Sequence, residues 1–363
     1  MEPDLTILVF EYLTGGGLKG PMGPALVQEG ELMLQALLWD LLAIPGVKVV
    51  VLRDRRLPIP AGFSGPIQWV AVERDPEALF AELLGSCDAA WPIAPETGGV
   101  LERLCRTVAL AHKPLLNSPA ETVAIAASKL ATARCLEAAG VAAVPTELYR
   151  PTGAPPPGAW VVKPDDGVGG QGTYVIEPAR PARWPDRRAG RHVLQPLIEG
   201  EALSLSVLFA NGQSRLLGSN RQQVVRDGAG FTLQGLTVNG VAEDAQLRAL
   251  AAGVGRALPG LWGYAGIDLI RSAAGLWVLE VNPRLTTAYV GLRRSTGLNP
   301  AALVLDLWRH GVLPEPGAGR RDPVAIHFTA ELPASTAGDA RRDEHPECPA
   351  AVAGDDGLFH RER

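Results

Sequence analysis

Short apolar runs alternate with longer stretches of helical periodicity through the first third of the chain. Residues 5–10 (LTILVF) form an uninterrupted apolar run of the kind that makes a buried strand, and the glycine-rich Thr14-Gly-Gly-Gly17 follows it. Residues 24–43 then place apolar side chains at helical spacing. The alternation continues with a strand over 47–52, a helix over 76–84, a strand over 87–93 and a helix over 98–112. Strand followed by helix, repeated, predicts a parallel sheet wrapped by helices over residues 1–118. Asn117-Ser-Pro-Ala-Glu121 carries a helix-start signature: Ser118 is expected to cap, Pro119 to occupy the first helical position and Glu121 to complete a capping box. Ser128 is expected to cap a second helix, which carries Lys129 and ends near Gly140.

From Val144 onward the pattern changes. Strand-like runs recur over 160–163, 172–176, 192–195, 203–209 and 214–219, separated by proline-rich connections at 150–158 and 178–190. This is the pattern of α+β structure on antiparallel strands. A helix over 243–257 precedes strands over 264–271 and 276–281, whose connection Ser272-Ala-Ala-Gly275 suits a hairpin, and a helix over 300–310 follows. Beyond Leu332 the chain is rich in Ala, Gly, Pro and charge, which predicts a mobile tail over 331–363. No internal repeat is visible.

Composition narrows the function classes. The length of 363 residues suits more than one structural unit, and 47% hydrophobic with 20% charged residues is the balance of a folded globular protein. A net charge of -5 offers no broad electrostatic footprint for nucleic acid. Cys87, Cys105, Cys135 and Cys348 lie far apart without CxxC spacing, which argues for reduced thiols rather than a zinc knuckle or a disulfide framework. No apolar run is long enough to span a bilayer, and Glu2 and Asp4 stand where a signal peptide carries positive charge, so a cytoplasmic protein without a membrane partner is expected. Lysine is scarce: Lys19, Lys48, Lys113, Lys129 and Lys163 stand against 29 arginines. Each lysine is therefore worth weighing by itself. His345, Cys348 and His360 fall in the expected tail and are not read as metal ligands.

Two glycine runs, Gly15 to Gly20 and Gly167 to Gly172, satisfy GxGxxG, but neither has the strand and helix that a dinucleotide fingerprint needs around it. No Gly-Lys-Ser/Thr occurs, so a Walker A loop is excluded. Gly167 to Gly172 instead has strand-like sequence on both sides, which predicts a hairpin flap. Such a flap brings backbone N–H groups close to a polyphosphate while Lys163, on the incoming strand, supplies a point charge. A plain surface hairpin is the alternative. The second constellation is Asp268 on one strand with Glu280 and Asn282 on its hairpin partner. Strand alternation puts Glu280 and Asn282 on one face, and pairing can bring Asp268 to it. Hard oxygen donors without His or Cys fit Mg2+, which binds through a few carboxylates plus substrate phosphates. An ion pair with Arg271 or Arg284 is the other way to keep such carboxylates in an apolar hairpin.

Taken in order, Lys129, Lys163 before the glycine flap, Gln195-Pro-Leu-Ile198 followed by Glu201, then Asp268 and Glu280-Val-Asn282 resemble the ATP-grasp superfamily of carboxylate:amine ligases, over roughly residues 118–305. The resemblance implies an α/β and α+β ATP-grasp fold. Its parts would be an N-terminal parallel α/β pre-ATP-grasp domain (1–118), helices plus a lid subdomain with the glycine flap (119–200), and an antiparallel-sheet C-terminal subdomain with the metal site (201–330). It implies ATP and Mg2+ as cofactors, with Mn2+ as a substitute metal. Lys129 and Lys163, with Gly169 and Gly170, would hold ATP phosphates; Gln195, Pro196, Leu197 and Ile198 the adenine edge; Glu201 the ribose hydroxyls; Asp268, Glu280 and Asn282 the metal. Many family members have an acidic residue where Gln195 stands, although an amide can still hydrogen-bond the adenine amino group.

Further segments look like the tyramine:L-glutamate ligase branch of that superfamily, whose members build the γ-glutamyl-tyramine unit of methanofuran: Phe10 to Gly17, Val27-Gln-Glu-Gly30, Ile93-Ala-Pro-Glu96, Ser219-Asn-Arg-Gln222 and Asn282 to Thr287. This likeness implies a small-molecule carboxylate, the side chain of L-glutamate, and an amine, tyramine or a tyrosine-like compound. It leaves a homodimer open. Glu11 and Glu96 both end apolar strands, the edge at which open α/β sheets bind ligands, so either could hold a substrate ammonium, with Gly15, Gly16 and Gly17 nearby. A surface carboxylate capping a helix is the other reading of each.

An amine does not displace hydroxide from a carboxylate, so the carboxylate must first be activated, here as an acyl-phosphate with release of ADP. Arg284 is the candidate for stabilising the phosphoryl and tetrahedral oxyanions, with Arg221 second and Lys163 on the transferring phosphate. Closure of the flap would exclude water. Ligases for other amino acids or peptides, a small-molecule kinase on the same scaffold and a non-catalytic nucleotide sensor are the competing readings. The sensor would be expected to lack Lys129, Lys163 or the Asp268, Glu280 and Asn282 set.

Overall fold

The computed structural model describes residues 4–150, 157–167, 169–170, 172–177, 190–227, 230–315 and 320–328. Its first layer runs through strand β1 (Leu5–Glu11), helix α1 (Pro24–Leu42), strands β2 (Val47–Asp54) and β3 (Ile67–Val72), helix α2 (Pro76–Leu83), strand β4 (Ala89–Ile93) and helix α3 (Val100–Leu110). The four strands pair in parallel in the order β3-β2-β1-β4. Central β1 is covered on both faces, with Ile7, Leu8, Val9 and Phe10 fully buried, which is why its sequence is a continuous apolar run. Strand β3 (IQWVAV) was not expected; it is a partly exposed edge strand whose Gln68 interrupts the apolar pattern. Strand order reverses between β1 and β4, and Glu11 and the segment carrying Glu96 lie at their carboxyl ends.

Helices α4 (Ala120–Ala127) and α5 (Lys129–Ala138) follow. Ser128 caps α5 as expected, accepting from Ala131 N–H. Ser118 does not cap α4, whose N-cap position is Pro119. The Ser118 hydroxyl instead donates to the carbonyl of Trp262 and accepts from its N–H, both at 3.1 Å, tying α4 to a distant loop. Tertiary hydrogen bonds here outcompete the local cap.

A small antiparallel sheet comes next, from β5 (Glu147–Leu148), β6 (Trp160–Pro164), β7 (Tyr174–Ile176) and β8 (His192–Pro196), in the order β5-β8-β6-β7. The glycine loop joins β6 to β7, which pair antiparallel. Val168 and Gln171 of that loop, most of the proline-rich connections and the expected tail lie outside the described residues.

The remaining elements are β9 (Glu201–Ala210), β10 (Gln213–Asp227), β11 (Gly230–Val238), α6 (Ala245–Ala257), β12 (Gly263–Ser272), β13 (Gly275–Asn282), α7 (Tyr289–Thr296), α8 (Pro300–His310) and β14 (Val324–His327). Their sheet has the order β13-β12-β9-β10-β11-β14 and is antiparallel throughout. Period-two alternation splits its faces. Leu203, Leu205, Val207, Ile267 and Leu269 pack with Leu247, Leu250 and Val254 of α6. The intervening positions on β9 and β12 carry Ser204, Ser206 and Asp268 to the opposite face. Helix α1 packs against the parallel sheet on one side and α7 and α8 on the other, through Leu34, Leu37, Leu38 and Leu41. That clamp joins the N-terminal layer to the end of β13.

Candidate active site

Strand pairing sets Asp268 directly opposite Glu280, and Gly266 opposite Asn282, with a bulge immediately after Asp268. The expected juxtaposition of the three oxygen donors is therefore what the backbone register delivers. Asn282 Nδ2 donates to Asp268 Oδ2 at 2.9 Å, and Gln222 Nε2, from β10, donates to Asp268 Oδ1 at 2.8 Å. Burial raises the Asp268 carboxyl above its usual range, and the facing charge of Glu280 raises it further. Burial would raise Glu280 as well, but Lys129 and Lys163 together outweigh it and hold Glu280 below its usual range. Among the described residues no three His, Cys, Asp or Glu side chains form a metal cluster. The donor set is two carboxylates and an amide, which suits Mg2+, an ion that completes its shell with water and phosphate. Two desolvated carboxylates facing each other are what a divalent cation would relieve.

The two lysines reach the same place from different elements. Lys129, in the first turn of α5, donates to the carbonyl of Gly167 at 2.5 Å and lies 3.3 Å from Glu280 Oε2. Lys163, on β6, is buried, which brings its ammonium down to about 8; the nearby Glu280 charge opposes that fall. Asp165, which the sequence reading did not single out, holds this corner together. Its carboxylate accepts from Ser128 Oγ at 2.7 Å and Leu130 N–H at 2.9 Å, fixing the start of α5 against the end of β6.

Lys129, Lys163, Gln222, Asp268, Glu280 and Asn282 line one cavity of about 590 Å³, a size usual for small-molecule sites. Gly169, Gly170, Pro196, Leu197, Ile198, Glu201, Arg221 and Arg284 line it too. Gln195 is buried in its wall. Its Nε2 donates to Thr146 Oγ1 at 2.8 Å, and since the Thr146 hydroxyl itself donates to the Val144 carbonyl, the amide orientation is defined. The Gln195 oxygen is left as an acceptor, the complement of an amino group. Glu201 pairs with Arg221 at 2.6 Å at a partly exposed rim. Arg221 is thus engaged with the ribose-side candidate rather than standing free beside Arg284.

Arg284 follows β13 and makes a two-pronged ion pair with Glu96, Nε to Oε1 at 2.9 Å and Nη2 to Oε2 at 3.1 Å. Its Nη1 also donates to the Leu285 carbonyl at 3.2 Å. Three of the five guanidinium N–H groups are spent this way, and the others remain for a ligand. Glu96 is therefore occupied by a cation of the protein itself. Glu11 is closed off as well: it is 2% exposed and accepts from Thr14 N–H and Oγ1, both at 2.7 Å. Neither carboxylate lines the cavity, nor do Gly15, Gly16 and Gly17. Those glycines serve packing. A Cβ at Gly15 would sit 2.6 Å from the Phe10 ring, one at Gly17 2.4 Å from the Tyr12 ring, and Gly16 has φ +89. The N-terminal residue that does reach the cavity is Glu29, on α1, which lay within the quoted Val27-Gln-Glu-Gly30 segment without a role.

Family models match the chain in two consecutive blocks, a pre ATP-grasp 3 domain over residues 47–123 and an ATP-grasp domain over residues 126–288. The chain carries an ATP-grasp domain behind a pre-ATP-grasp domain. It is similar to a tyramine–L-glutamate ligase of Methanocaldococcus jannaschii, at 27% identity over 80% of this chain and 86% of that one. A second ligase of the same name, from Methanocaldococcus fervens, is 24% identical over 80% of this chain and 91% of that one. Among solved structures, an Archaeoglobus fulgidus chain described as of the ATP-grasp superfamily superposes with a TM-score of 0.67 at 21% identity, covering 92% of this chain and 97% of that one. In this ATP-grasp fold the cavity lies between the small sheet and the polar face of the large one.

Proposed function

We propose that the protein is an ATP- and Mg2+-dependent ligase that joins a carboxylate, the side chain of L-glutamate, to the amine of tyramine or a tyrosine-like compound, releasing ADP and phosphate. The observation that carries this is the convergence of Lys129, Lys163, Asp268, Glu280 and Asn282 on one cavity, in a chain related to tyramine–L-glutamate ligases.

In this reading Asp268, Glu280 and Asn282 would hold Mg2+, which would supply charge neutralisation to the bound triphosphate. Lys129 and Lys163, beside Glu280, would bind phosphate oxygens. Gln195 presents its oxygen to the adenine amino group, and Glu201 lies where ribose hydroxyls would be met. The glycine loop covers the phosphates with backbone N–H groups and keeps water from the activated carboxyl. Arg284, held by Glu96, directs its remaining N–H groups at the carboxylate as it attacks the γ-phosphorus, and then at the oxyanion formed when the neutral amine adds. Positioning and charge stabilisation supply most of the rate, since the protein forms no covalent bond itself.

The test is phosphate release by purified protein with ATP, Mg2+ and L-glutamate against a panel of aromatic amines and amino acids. Release that needs both carboxylate and amine, with an amide product seen by mass spectrometry, supports the reading. A stable phosphorylated product would instead make the protein a kinase.

A further inference from the structure

Glu29 stands on the first half of α1, and the clamp of α1 against α7 and α8 turns it towards the segment that follows β13. One of its carboxylate oxygens accepts a hydrogen bond from the buried hydroxyl of Thr287. Arg284, in the same segment, feels the charge of both Glu29 and Glu280.

Most charges around the cavity account for one another. Arg221 pairs with Glu201, Arg226 with Glu177, Lys129 with Glu280 and Arg284 with Glu96. Asp268 has two amide donors and the field of Lys163. Glu29 has the Thr287 hydroxyl and, among the described residues, no ion-pair partner. Arg284 is already gripped on two nitrogens by Glu96. A carboxylate in the wall of a cavity with no ion-pair partner of its own among the described residues, only a hydroxyl donor and the distant share of an arginine already gripped elsewhere, is a receptor for a cation carried by the ligand. The attacking amine fits less well, because it must be neutral to attack and an adjacent anion favours its charged form. The carboxylate-bearing substrate suits it, if it is an amino acid.

We infer that Glu29 binds the α-ammonium group of an amino-acid substrate whose distal carboxylate is the one activated, so that the cavity selects a zwitterionic amino acid over a simple dicarboxylate. This rests on the ligase reading above. It also replaces the expectation that Glu11 or Glu96 holds the ammonium, since both are satisfied within the protein.

The experiment compares L-glutamate with glutarate, which lacks the amino group, in phosphate release with ATP, Mg2+ and a saturating aromatic amine. The wild type should favour glutamate by about 10- to 100-fold in kcat/KM, the range of one charge-assisted hydrogen bond. Glu29→Gln should raise the KM for glutamate by a similar factor and bring the glutamate-to-glutarate ratio close to one, with the KM for ATP unchanged. Glu29→Asp, which keeps the charge on a shorter arm, should retain part of the selectivity and covers the case in which the Gln variant does not fold. Wild-type selectivity in both active variants overturns the assignment and leaves the ligase reading standing. Absence of phosphate release by the wild type with every amino acid and amine pair overturns the ligase reading and this assignment together.

Discussion

Asp166, at the base of the glycine loop, accepts the backbone N–H of Gly98 on its Oδ2 at 2.9 Å. Its carbonyl accepts Thr97 Oγ1, also at 2.9 Å. Residue 96, next in the chain, is the glutamate that grips Arg284. Three consecutive residues after β4 thus hold the loop on one side and the arginine on the other. Asp166→Ala should cost little stability, about 1 kcal/mol for an exposed hydrogen bond. Its larger effect should be a rise in ATP hydrolysis without amine, relative to coupled turnover, because the loop is anchored less firmly over the activated carboxyl. Phosphate release with and without amine checks this.

Removing a metal-side carboxylate should act on turnover. Glu280→Gln is expected to lower kcat about 100- to 1,000-fold, the scale seen when one preorganised charge-stabilising group is lost. Glu201→Ala should mainly raise the KM for ATP. Chelating Mg2+ should abolish ADP formation in the wild type. Normal kcat in Glu280→Gln would remove the metal assignment.

The ion pair of Arg284 with Glu96 should be costly to break from one side. Glu96 is 4% exposed and the Arg284 side chain 14%, so Arg284→Met leaves a buried carboxylate without its partner, at about 3–5 kcal/mol. Changing both, to Arg284→Met with Glu96→Leu, should recover much of that stability in denaturant titrations while leaving the protein inactive. Stability and activity would then separate within one double-mutant cycle.

Lys163 gives the nucleotide affinity a pH dependence. With its ammonium lowered to about 8 by burial, it is substantially neutral above that pH in the nucleotide-free protein. A bound triphosphate favours the charged form, so binding takes up a proton once the pH exceeds about 8. Affinity for ATP should therefore fall as pH rises above 8, by at most about tenfold per unit for a single group. Nucleotide titrations between pH 7 and 9.5 measure it. Lys163→Arg, whose charge persists over that range, should flatten the slope.

The sequence was legible wherever chemistry follows from neighbours along one strand or one hairpin. Asp268, Glu280 and Asn282 share a hairpin, and period-two alternation suffices to align them. Lys163 precedes a glycine loop whose flanking strands pair as their apolar pattern suggests. Tertiary packing decided what was missed. Helix α7 reads YVGLRRST, poor in helix formers, yet Gly291 lets it press on Val238, where a Cβ would come within 2.7 Å. Strand β14 is fixed by pairing with β11 and packing on α7, and the edge strand β3 by pairing with β2 and packing of Ile67 and Trp69 on the core. Glu29 could not be seen, because helical periodicity shows which residues lie on the polar side of α1 but not which distant segment that side meets.

Glu29 and Thr287 are separated by 258 positions, whereas Asn282 and Asp268 are separated by 14. The proposed metal-binding hairpin is thus written in short-range sequence, whereas the half proposed to choose the acid depends on the two ends of the fold meeting. Mutational drift in α1 can retune which acid is accepted without disturbing the phosphoryl chemistry, so relatives that share the β12–β13 hairpin and diverge along the first helix would be expected to share a reaction while differing in diet.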